Sequence, residues 1–148
     1  MDNPGLILSN ITPLIPPICK LIEYRIIRHI QENDIRSRIR ASLQKIQYEA
    51  NIYHATFYTL DNYKEPYMTL MDRIRDTHML IKTSTNYLSK KEYKEAKKYL
   101  VATYDNLIFS VDRLNGNIKH EEWRILPDKE QQSGHIFILY QKVQNSLK

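Results

Sequence analysis

The sequence predicts an all-α protein, an antiparallel bundle of four principal helices with a fifth at the carboxy end. Three observations carry that expectation. Apolar residues recur at alternating steps of three and four, the loops between the periodic stretches are short, and capping residues stand at their borders. The clearest stripe is Ile35, Ile39, Leu43, Ile46, Ala50, Tyr53, Phe57 and Leu60. A second is Tyr67, Met71, Ile74, His78, Ile81, Thr85 and Leu88. A third is Tyr93, Ala96, Leu100, Thr103, Leu107, Val111 and Leu114, and a shorter fourth is Ile136, Leu139, Val143 and Leu147. Each stripe lines one side of a helix, and that side must be buried.

Residues 1–16 read as an irregular apolar segment. Residues 3–19 carry no charge, but Ser9, Asn10, Thr12, Pro13, Pro16 and Pro17 interrupt them. The run falls short of the ~20 apolar residues that span a bilayer. The start Met1-Asp2-Asn3-Pro4 lacks the basic residues of a signal peptide. With neither signal peptide nor transmembrane helix, an intracellular, cytoplasmic location is expected. Pro17 suits the first turn of a first helix that runs to Gln31. Its Ile18, Leu21, Ile22, Ile26, Ile27 and Ile30 cover a wide arc and predict the most buried helix. Asp34 is a good N-cap for a second helix over 35–63, on the order of 45 Å long at about 1.5 Å per residue.

Pro66 restarts the chain as a third helix to Leu88. Ser89-Lys90-Lys91-Glu92 matches a capping box and opens a fourth helix to Leu114, which Asn115-Gly116 ends. Residues 117–127 form a connector containing Trp123. Asp128 then caps a fifth helix over 129–147, weakened by Gly134. The whole chain, 1–148, reads as one domain.

At 148 residues the chain can bury a sizeable core. Ile outnumbers Val nineteen to three, and Asn, Lys and Tyr are abundant, a skew that AT-rich codons explain without any function. The eleven Tyr therefore read as core-edge fillers rather than base-stacking groups. Cys19 is alone, which excludes an intramolecular disulfide and a thiol metal cage and fits a reducing compartment.

The net charge is +5, which favours anionic partners but falls short of the basic stripe of a dedicated nucleic-acid binder. Its first concentration gives a candidate patch of Arg25, Arg28, Arg36 and Arg40, with Arg36 and Arg40 on one exposed helix face. Such a face could grip phosphates, or simply be solvated. A second basic cluster, centred on Lys91, Lys94 and Lys98, is diluted by Glu92 and Glu95.

Catalytic and ligand signatures are weak. No two of His29, His54, His78, His120 and His135 lie three or four apart, and no HExxH or Glu-x-x-His repeat occurs. No metal site is expected. Gly5, Gly116 and Gly134 are isolated, which excludes glycine-rich phosphate loops and the cofactors they hold. No cofactor is expected. Nothing matches a nucleophile elbow.

The spacing Arg73 to His78 is similar to the Arg-x(4–6)-His motif of the HEPN family, helical bundles that include metal-independent RNases; Arg113 to His120 is a second match. The resemblance implies His as acid–base and Arg as phosphate stabiliser. Against it, Arg73 and His78 are five helical positions apart, far round the axis, and His78 falls on the apolar stripe, so the pair is rejected as a catalytic site. The amino end, with Gly5-Leu6-Ile7-Leu8, Cys19 to Glu23-Tyr24 and the helix after Asp34, resembles HeLo-type and MLKL-type bundles, which perturb membranes. It lacks their small-residue richness.

The expected function is non-enzymatic: a helical interaction or assembly module with a protein partner, including a second copy of itself. The alternative is binding to an anionic surface, nucleic acid or membrane. A HEPN-type RNase comes third.

Overall fold

The computed structural model describes residues 15–56, 61–116 and 133–148. Their regular structure is helical throughout, with no strand among the described residues. The helices are α1 (Ile15–Ala55), α2 (Lys64–Thr83), α3 (Lys90–Leu114) and α4 (Ser133–Ser146). A short 3₁₀ turn, Thr85–Tyr87, lies between α2 and α3. The chain divides into two compact units, residues 1–34 and 35–148.

The second unit holds the core. Ile39, Leu43, Ile46, Ala50 and Tyr53 of α1 meet Leu70, Ile74 and Ile81 of α2, Ala96, Tyr99, Leu100 and Leu107 of α3, and Ile136, Leu139, Val143 and Leu147 of α4. Cross-helix bonds fix the directions. Arg36, Gln47 and Tyr53 bond in that order to Glu92, Tyr99 and Ser110, so α1 and α3 run parallel. Tyr99 packs on Tyr140 while Glu95 meets Ser146, so α4 runs back along α3. Tyr63 at the start of α2 bonds Asn115 at the end of α3, so these two are antiparallel.

Of the residues that the heptad phase places in the core, Leu43, Ile46, Ile74, Ile81, Leu100 and Leu107 are buried. Phe57 and Leu60 lie outside the described residues, as do the segment 1–14, the connector with Trp123, and the Asp128 cap. The capping box forms as the sequence predicts. The Ser89 hydroxyl accepts from the Glu92 amide at 3.1 Å, and the Glu92 carboxylate accepts from the Ser89 amide at 2.6 Å. Gly116 takes the left-handed conformation, φ 72°, that ends α3.

The structure corrects the sequence reading in three places. The two helices expected on either side of Asp34 are one helix of 41 residues, on the order of 60 Å long at 1.5 Å per residue. Asp34 tolerates the helix interior as an exposed residue and does not cap. The change of stripe that suggested two helices is real in the sequence: Ile18, Ile22, Ile26 and Ile30 step by four, and Ile35 then follows after five. It marks a change of apolar face rather than a break in the backbone.

The segment expected to be the most buried is also open. Ile18, Leu21, Ile22, Ile26, Ile27 and Ile30 are 47–61 % exposed. A wide apolar arc states a demand for burial without stating what meets it.

In α2 the buried seam is Leu70, Ile74, Thr77 and Ile81: Ile74 and Ile81 lie where the stripe places them, and Leu70 and Thr77 take the inward places expected of Met71 and His78. Thr77, not His78, faces the core, and His78 is exposed. A threonine inside the seam hid the phase. α2 also ends at Thr83, short of Leu88.

Because Ile46 and Leu100 are almost fully buried, truncating either to Ala should destabilise the protein by about 2–5 kcal/mol. Ile22→Ala, at a half-exposed site, should cost far less in the monomer. Urea unfolding of the three variants measures the contrast, and equal losses would contradict the exposure of the amino-terminal turns.

Candidate interaction surfaces

The acids and bases that the sequence groups by proximity are sorted by the fold into separate roles. Arg36 is half-buried, and its Nε donates to Glu92 Oε1 at 2.8 Å. Arg40 donates to Gln144 at 3.3 Å, and Gln144 returns a bond to the Arg40 carbonyl at 3.1 Å. Both arginines therefore join α1 to other helices and are not the exposed phosphate-gripping face that their spacing implied. Arg25 and Arg28 fall in the first unit, where Arg28 pairs with Glu32 at 3.1 Å on one exposed helix face. The four-arginine patch is thus not a single surface of either unit.

Glu92 is buried, which pushes its carboxyl up, but the bonds from Arg36 and Ser89 outweigh burial and hold it below the usual glutamate range. It is the N3 member of its own helix's capping box and the ion-pair partner of α1 at once.

Glu95 is turned the same way and accepts a bond from the Ser146 hydroxyl of α4. The two acids that dilute the lysine cluster in the sequence therefore face inward. Lys90, Lys91, Lys94, Lys97 and Lys98 stay on the exposed side of α3. Sequence proximity could not show this, because Glu92 and Glu95 share a helix face that only the packing against α1 and α4 identifies.

Along that outer side Lys90, Lys94, Lys97, Val101, Tyr104 and Ile108 repeat at steps of four and three. This second stripe of α3 is basic at its beginning and apolar further on. Val101 and Tyr104 are 46 % and 41 % exposed. They form one wall of an open groove of about 210 Å³, with Leu100 at its floor; the other wall is Met71, Ile74, Arg75, His78 and Met79 of α2.

Arg73 and His78 do not converge. Arg73 Nε donates to Glu49 of α1 at 2.5 Å, while His78 lines the groove between α2 and α3. Five residues at about 100° each separate them round the helix. His78, which its stripe position places in the core, is exposed, and Arg73 is turned toward α1.

Among the described residues no group of His, Cys, Asp and Glu could hold a metal ion, and no helix is long and apolar enough to cross a membrane. Cys19 is exposed. No family model matches the chain, and no curated protein or solved structure matches it significantly.

Glu92 ionised is the stabilising form, since its folded pKa lies below the unfolded value. Its contribution is therefore complete above the unfolded glutamate pKa, about 4.3, and is lost as pH falls through the lower folded value. Glu92→Gln should lower stability at neutral pH by about 1–3 kcal/mol, from the weakened cap and the loss of a carboxylate charge beside half-buried Arg36. It should also flatten the fall in stability below about pH 4.3. Denaturant midpoints of both proteins between neutral and acidic pH test this.

Proposed function

We propose that this chain is a non-enzymatic helical interaction module, built on a four-helix scaffold with antiparallel sequential neighbours, that assembles with a second copy of itself. The carrying observation is the first part of α1, where six large aliphatic side chains stay 47–61 % exposed within about three and a half turns. Exposed apolar surface this concentrated belongs to recognition sites in stable proteins. Two copies crossing at the Ile18–Ile22–Ile26–Ile30 ridge would bury it by packing ridge into groove. Lys20 and Arg25 on the same helix, with Glu23 and Glu32, provide both signs of charge for an isologous contact.

A second reading, an anionic target, draws support from the inward-facing Glu92 and Glu95, which leave the outer side of α3 basic. Its mark would be steep weakening of RNA or anionic-vesicle binding between low and moderate salt.

Self-assembly is tested by sedimentation equilibrium at micromolar concentrations. The wild type should sediment as a dimer or larger. Ile22→Lys with Ile26→Lys should sediment as a monomer of unchanged helical content, because both positions are exposed in the single chain. A wild type that remains monomeric at about 100 μM would remove the reading, since an interface of standard size binds more tightly.

A further inference from the structure

The groove between α2 and α3 combines three properties that together specify an occupant. Its walls are two neighbouring antiparallel helices, so the trough runs along a helix direction and fits a third helix. Its middle is lined by Met71, Ile74, Met79, Val101 and Tyr104, with two flexible thioethers that adapt to varied apolar side chains. Its charge is graded along the length. The turn joining α2 to α3 brings Lys82, on the last turn of α2, to the end where Lys90, Lys94 and Lys97 begin the outer stripe of α3.

On the α2 wall Arg75 is offset by Asp72, so the gradient rests on Lys82 and the lysines of α3. Acids near the groove do not cancel this. Asp72 is engaged with Arg75 at 3.1 Å, Asp76 lies on the next face of α2, and Glu92 and Glu95 turn inward.

We infer that the α2–α3 groove binds an amphipathic helix of a partner protein that is acidic at one end and apolar over the rest. The apolar turns lie against Met79, Val101 and Tyr104, and the acidic turns lie against Lys82, Lys94 and Lys97. The apolar part supplies affinity, and the charge gradient sets the direction in which the helix lies. None of the Ile18–Ile30 residues lines this groove, and the inference does not depend on how they are used.

The probes are two designed fluorescent peptides, each about five turns long, with Leu at helical spacing and Glu in the last two turns of either the amino or the carboxy end. A control pair carries Lys in place of Glu. Fluorescence anisotropy with the full chain should show at least one Glu peptide binding with a micromolar Kd, and both Lys peptides at least about tenfold weaker.

Val101→Asp should weaken binding by about tenfold or more, as should Lys94→Glu with Lys97→Glu. All three positions are exposed, and circular dichroism melts establish that the variants stay folded. The inference is overturned if neither Glu peptide binds at about 200 μM, or if the Lys peptides bind as well. It is equally overturned if folded Val101→Asp binds like the wild type. Val101→Asp changing the mass in sedimentation would overturn it too, by assigning the groove to a contact between copies of this chain.

Discussion

The carboxylate of Glu92 is the point on which the arrangement of the helices and of the surface charges both depend. With one oxygen it closes the box that starts α3, and with the other it holds the Arg36 guanidinium of α1. The first bond fixes where α3 begins. The second fixes the register in which α1 lies beside it, a register that Gln47–Tyr99 and Tyr53–Ser110 then follow along the pair. A buried carboxylate is costly unless paired, and here a cap and an ion pair satisfy it together. Turning inward also removes it from the solvent side of α3, so the same contact that orders the core leaves the lysines as a basic surface.

Tyr99 shows a related economy of polar groups in the core. Its ring is fully buried, and its hydroxyl donates to Gln47 Oε1 at 3.0 Å, while Gln47 Nε2 donates to Asn51 at 2.9 Å. Burial pushes the Tyr99 phenol far up, so it stays a neutral donor. The α1–α3 seam therefore has a satisfied polar point between its apolar layers, which disfavours slipped pairings that would leave Gln47 or the phenol without a partner.

Local chemistry was legible in the sequence, and partner-dependent chemistry was not. Ser89 with Glu92 and Asn115 with Gly116 act within a few residues, so their spacing alone announces the start and end of α3. The core stripes of α1 and α3 were legible because Ile39, Leu43, Ile46 and Ala50 in one, and Ala96, Leu100 and Leu107 in the other, recur at helical spacing on the inward side. In α2 the inward Thr77 and the outward His78 reversed the usual polarity, so the stripe was right at Ile74 and Ile81 and wrong between them. The Arg36 and Arg40 side chains were misplaced for a different reason. A charge on a helix looks like a solvent face until a partner from another helix is known, and Glu92 and Gln144 are 56 and 104 residues away. The outer stripe of α3 went unrecognised because Lys90, Lys94, Lys97, Val101 and Tyr104 mix charge with apolar character, although their heptad spacing was there to be read.

The continuity of α1 through Asp34 has a consequence for how its exposed turns respond to a partner. An isolated helix must first form a costly nucleus before each further residue adds a hydrogen bond. Residues 15–34 are spared that step, because the backbone enters them already helical from the packed turns that begin at Ile35. Their helix–coil balance is set by propagation alone, near unity per residue for ordinary sequences. A ligand covering the apolar side therefore meets a backbone that is already helical. Its binding energy goes into burying aliphatic side chains, with little spent on ordering the chain.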